Sequence, residues 1–149
     1  MKKLIALFLA GLFALSLTAC SQKISEEEYT TSIGELVDGY GLVIDTIDMS
    51  LEYYTDTEEW WQAIDDLKSS SDEVVAQLEK DVTPYVPDSC MQKHQDLVAA
   101  MTAYSDVMAK ILEAKGAASE EEIQAGIDEG KALGEQAAAQ WEAAVAALQ

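Results

Sequence analysis

The chain contains no arginine. Its nine basic residues are all lysine, set against 28 Asp and Glu in 149 residues. A surface this acidic, without the planar guanidinium fork that grips phosphate, is a poor match for a phosphate backbone, which excludes nucleic acid as a partner class. With a single histidine and two cysteines, the chain cannot assemble a four-ligand structural zinc site or a disulfide scaffold. There is no Glu-x-x-His pair for a di-iron bundle, no Cys-x-x-Cys-His for haem, no EF-hand loop, no glycine-rich phosphate loop and no Gly-x-Ser-x-Gly elbow. These absences predict a protein with no cofactor, no metal and no enzymatic activity. Proline is as scarce, with only Pro84 and Pro87, so little interrupts helix formation.

What is present begins with an address. Met1-Lys2-Lys3 is a short basic start, Leu4 to Leu17 is an apolar run broken only by Gly11 and Ser16, and Leu17-Thr18-Ala19-Cys20 follows. A charged start, an apolar stretch too short for a comfortable membrane span and small residues before a cut read as a secretory signal. A cysteine directly after Leu-x-Ala resembles the lipobox of bacterial lipoproteins. That resemblance covers residues 1–20. It implies cleavage before Cys20 by signal peptidase II, diacylglycerol on the Cys20 thiol and an extracytoplasmic location on the cell membrane or outer membrane. Ser21 after the cysteine, rather than Asp, is compatible with outer-membrane sorting in Gram-negative relatives. Acyl chains contribute about 0.8 kcal/mol per buried CH₂, and more than one makes the anchor stable. The expected organisation is a signal peptide at 1–19, a lipidated tether at 20–24 and one helical domain at 25–149. The mature chain then carries seven lysines against 28 acids, a net of −21.

The mature sequence repeats its apolar residues in threes and fours, the period of helix packing. Helix one carries Tyr29, Ile33, Leu36/Val37, Tyr40, Val43/Ile44, Ile47, Leu51 and Tyr54. Helix two carries Trp60, Trp61, Ile64, Leu67, Ser71, Val74, Val75, Leu78 and Val82. Helix three carries Met91, His94, Leu97/Val98, Met101, Tyr104, Met108 and Ile111/Leu112. Helix four carries Ile123, Ile127, Gly130, Gly134, Ala137, Trp141, Val145 and Leu148. Ser25-Glu26-Glu27-Glu28 and Ser119-Glu120-Glu121-Glu122 read as capping boxes, with Ile24 and Tyr29 placed as a hydrophobic staple. Asp56 with Glu59 marks the start of helix two, and Pro87-Asp88-Ser89 that of helix three. Short loops near 55–57, 82–88 and 115–118 predict an all-α, antiparallel, up-down-up-down four-helix bundle. Glycines at 39 and 41 predict a kink in helix one, and Gly130, Gly134 and Ala137 a seam on helix four that a neighbour approaches closely.

Five residues tether Cys20 to Ser25, a reach of roughly 17 Å. Helix one therefore begins near the bilayer, and the 54–57 and 115–118 turns are distal. Tyr53-Tyr54-Thr55-Asp56-Thr57-Glu58-Glu59-Trp60-Trp61 places four aromatics around one of those turns. Aromatics are over-represented at interface cores, so Tyr53, Tyr54, Trp60 and Trp61 form the candidate partner surface, with the bundle core competing for about half of them. Cys90 and His94 share a helix face and suggest at most a soft-metal pair. Cys90 is expected buried, and His94 hydrogen-bonded or partly wet at the bundle end. The acid pairs Glu58/Glu59, Asp65/Asp66, Asp72/Glu73 and Asp128/Glu129 point away from each other on their helices and read as solvated faces.

The chain also resembles, in architecture and composition, the small helical lipoproteins of bacterial envelopes. The expectation is a membrane-anchored, non-enzymatic binding or scaffold protein engaging an envelope partner. A small-ligand or cation-binding module with its site by the small seam of helix four, and a structural envelope protein, are the alternatives.

Overall fold

The computed structural model describes residues 23–149; the signal-peptide and Cys20 expectations lie outside the described residues. Those residues form an all-α four-helix bundle: α1 (Glu26–Glu52), α2 (Glu58–Gln77), α3 (Met91–Glu113) and α4 (Glu120–Leu148). Paired contacts run in opposite sense along successive helices. Between α1 and α2, Ser50 meets Trp60 and Tyr40 meets Ser71. Between α2 and α3, Glu58 meets Lys115 just beyond α3, and Asp72 meets Ser105. Between α3 and α4, Ala114 lies under Gly126 and Ile111 under Gly130.

Local chemistry sets the helix starts. Ser25 Oγ accepts from the Glu28 N–H at 3.2 Å, and Glu28 returns a carboxylate oxygen to the Ser25 N–H at 2.9 Å, closing a full capping box. The Ser25 N–H and, at 2.8 Å, the Ser25 hydroxyl both donate to the Glu28 carboxylate and hold it below its usual range. At α4, Ser119 caps Glu122, but Glu122 reaches back to the Ala118 N–H instead of completing the box. For α2 the sequence expectation is corrected. The N-cap is Thr57, whose hydroxyl accepts from the Trp60 N–H, while Asp56 accepts from the Trp61 indole at 2.8 Å. The indole is a buried donor needing a partner, and Asp56 is within its reach.

The 82–88 region is not an open loop. After Gln77 the chain widens into a π turn (Leu78–Val82), tightens into two 3₁₀ turns (Thr83–Tyr85 and Asp88–Cys90) and enters α3 at Met91. Pro84 and Pro87 donate no backbone hydrogen bond and cannot extend α2. Thr83 donates its hydroxyl to the Leu78 carbonyl, which reduces the cost of the irregular turn. α1 runs as one continuous helix through residues 39–41.

The core follows the predicted seams at most positions, with Val86 buried in place of the expected Val82 and a shift on α4. Tyr29, Ile33, Leu36, Tyr40, Ile44, Ile47 and Leu51 of α1 face Trp60, Trp61, Ile64 and Leu67 of α2 and Leu97, Met101, Tyr104, Met108 and Ile111 of α3. Each large apolar side chain so buried contributes about 1.5–3 kcal/mol. On α4 the buried residues are Ile127, Gly130, Ala137 and Ala144, with Trp141 and Leu148 only partly covered. Ala144 replaces the expected Val145 because α4 approaches through its smallest residues. Inside the bundle Tyr40 donates to the Met101 carbonyl at 3.0 Å and shares a 2.5 Å hydrogen bond with Ser71, tying three helices together.

Candidate functional site

The two bundle ends differ. At one, the start of the described chain is fastened to the α2–α3 junction. The Ile24 N–H donates to the Tyr85 carbonyl at 3.0 Å, Lys23 pairs with Asp88, and Ser89 donates to Glu26. At the other lie the α1–α2 turn and the α3–α4 turn, bridged by Lys115 and Glu58 at 2.9 Å. Gly116, at φ 92°, makes the second of these turns.

The four aromatics of the first turn separate sharply. Trp60 and Trp61 are buried, as corrects the surface role expected of them. Their rings stand edge to face at 4.8 Å, and Tyr54 packs on both, 4.8 Å from Trp60 and 6.1 Å from Trp61. The Trp60 indole donates to the Ser50 carbonyl at 2.9 Å, so both indole donors are satisfied. The trio closes the end of the core. Burial, followed by the charges of Asp56 and Glu120, raises the Tyr54 hydroxyl pKa. Only Tyr53 presents a free aromatic surface, 69 % exposed.

Tyr53 has company that sequence reasoning did not single out. Leu42 is 60 % and Met49 is 55 % exposed on the outer side of α1. The signal was available in the spacing. Leu42, Met49 and Tyr53 stand seven and then four residues apart, which is one helix face. Because Val43, Ile44 and Ile47 account for the core seam, Leu42 and Met49 read as its margin.

Cys90 is buried and free, as expected. His94 is fully buried, not partly wet. Its Nε2 lies 2.8 Å from Thr83 Oγ1. A hydroxyl has one proton, and Thr83 directs it to the Leu78 carbonyl. Thr83 therefore accepts from Nε2–H, and Nδ1 carries a bare lone pair with no hydrogen-bond partner. Tyr29 meets the ring edge-on at 6.0 Å. Burial lowers the His94 pKa and pushes the Tyr29 hydroxyl up to about 12. Among the described residues no three His, Cys, Asp or Glu side chains converge as a metal site.

The small seam of α4 leaves no space at Gly130, where the Ile111 side chain fills the position of a Cβ. An open groove of about 630 Å³ lies instead over the outer side of α3, lined by Glu79, Thr83, His94, Val98, Asp106 and Gln140 among others. Among the described residues no helix is long and apolar enough to cross a membrane. No protein-family model, curated protein or solved structure matches the chain.

Proposed function

We propose that the protein is a bacterial lipoprotein, anchored through acyl chains on Cys20, whose bundle stands outside the membrane with its helices alternating up and down and binds an envelope protein. It works by docking, not by catalysis. The observation that carries this reading is Tyr53, an aromatic left 69 % exposed while its three neighbours are drawn into the core. Tyrosine is enriched among the few residues that carry most of the energy of a protein interface. Residues 23–26 are fastened at the opposite end of the bundle, so a lipid on Cys20 holds that end near the bilayer and turns Tyr53 away from it. A net charge near −21 on the mature chain keeps the bundle from lying on an anionic surface within the roughly 8 Å over which charge acts.

Two experiments test the reading separately. Labelled palmitate is expected in the wild-type protein and absent from Cys20→Ser; equal labelling of both overturns the anchor. A photo-crosslinking residue at position 53 in intact cells is expected to yield a discrete adduct that the same group at Glu129 does not. Identical products from both positions overturn the docking surface.

A second reading, a small-ligand module, draws on the groove beside His94. Ala99→Trp would fill that groove without entering the core, and loss of a bound small molecule with unchanged crosslinking at position 53 would favour it.

A further inference from the structure

The outer face of α1 carries a second apolar seam that the fold does not use. Met49 lies nine residues, about two and a half turns, from Tyr40, so it stands opposite the face that Tyr40 buries. Leu42, Met49 and Tyr53 form a ridge along that side, each more than half exposed. Their spacing, with Thr46 between, alternates fours and threes as a coiled-coil seam does.

The ridge lies in a field of one sign. Between Lys23 and Lys68 the chain has 13 acidic residues and no basic one. Asp38, Asp45, Asp48 and Glu52 flank the ridge, and among the described residues none of them makes an ion pair, whereas every lysine pair in the bundle lies on other elements. With no lysine paired to them, these carboxylates leave a countercharge for a partner to supply, and partial burial, then Asp45 beside it, raises the Asp48 carboxyl above its usual range.

Resting on the docking function proposed above, we infer that the Leu42–Met49–Tyr53 ridge receives a basic amphipathic helix of another protein, whose apolar seam packs on the ridge and whose Lys or Arg residues pair with Asp38, Asp45, Asp48 and Glu52. A second copy of this chain is a poor occupant, since it would oppose the same uncompensated acids. An anionic lipid surface is repelled for the same reason. The ridge covers the twelve residues from Leu42 to Tyr53, roughly 16 Å along the helix axis, which matches about three turns of a partner helix.

The test uses the full chain in detergent and a synthetic Leu/Lys helix of about five turns carrying a benzophenone, with the matching Leu/Glu helix as control. Binding of the Leu/Lys helix is expected, weakened by salt, with crosslinks confined to residues 42–53. The Leu/Glu helix is expected not to bind. The variant Leu42→Ser/Met49→Ser/Tyr53→Ser alters only exposed side chains, is expected to keep its circular dichroism and melting curve, and should weaken binding at least about tenfold. Crosslinks scattered over the acidic faces of α2 and α4, or wild-type affinity in the triple variant, overturn the inference. So does a dimer, or flotation of Cys20→Ser with anionic vesicles, that the triple variant abolishes. Failure of the Leu/Lys helix while position 53 still crosslinks in cells removes the basic-helix partner and leaves the docking function standing. Loss of both removes both.

Discussion

The Ile111 side chain occupies the place where a Cβ on Gly130 would sit. Four residues along the same helix, a Cβ on Gly134 would meet nothing within 4 Å. The two glycines, one turn apart, therefore answer substitution with opposite signs. Gly130→Ala gains helix propensity but must displace a branched side chain that is fully buried, with a net cost of about 1–3 kcal/mol. Gly134→Ala has the propensity gain alone and is expected to stabilise by up to ~1 kcal/mol. Urea unfolding of the two variants checks the pair; a loss at both positions would mean that α4 packs on α3 differently.

Tyr40 is the second point where one atom decides a sign. Its hydroxyl gives its single proton to the Met101 carbonyl, so the 2.5 Å contact with Ser71 requires Ser71 to donate. Tyr40→Phe keeps the ring against Trp141 at 5.3 Å but strands a buried serine donor. The expected loss is about 1–3 kcal/mol. The double variant Tyr40→Phe/Ser71→Ala, which removes the stranded group, is expected to recover part of it. A double-mutant cycle by chemical denaturation measures the coupling.

His94 makes stability depend on acid. Burial lowers its pKa from 6.5 in the folded state, and a second ring proton on Nδ1 would have no acceptor. The unfolded chain binds that proton more readily than the folded one. The contribution of neutral His94 is thus complete above about pH 6.5 and declines as pH falls towards the lowered folded value. His94→Leu is expected to remove this slope while costing some stability at neutral pH through the lost Thr83 contact. Denaturation midpoints of both proteins from pH ~7 to ~5 separate it from the carboxylates they share.

The helix caps rank in a definite order. Ser25→Ala breaks a reciprocal box, and Ser119→Ala a one-way cap. Each is expected to cost about 1 kcal/mol, Ser25 the more. Thr57→Ala is expected to cost a similar amount. Asp56→Asn, which keeps an acceptor for the Trp61 indole, should cost less than Asp56→Ala. Thermal melts of the five variants give the order.

Much of the bundle was legible residue by residue, because burial on a helix repeats every three or four positions. Tyr29, Ile33, Leu36 and Tyr40, or Leu97, Met101, Tyr104 and Met108, cannot all be covered except by facing other helices. Ser25 with Glu28 was equally legible, since a capping box closes within four residues. The α2–α3 junction was less so: two prolines announce an interruption, but the π turn that absorbs it depends on Thr83 meeting both Leu78 and His94. Trp60 and Trp61 were misplaced on the surface because adjacent residues on one helix point in different directions, and only three-dimensional closure of the bundle end gives both of them cover.

The sequence alone determined the class of fold, the capping box that opens α1 and the acidic balance of the chain, because each follows from residue type and near-neighbour spacing. Tertiary structure alone decided which aromatic stays in solvent, which glycine is crowded and which proton His94 carries. Those outcomes depend on atoms brought together from distant positions: Tyr54 with Trp60, Gly130 with Ile111, Thr83 with His94. It also revealed that α1 has a seam left over. Periodicity shows that a side chain lies on a face, but only packing shows whether another helix covers it.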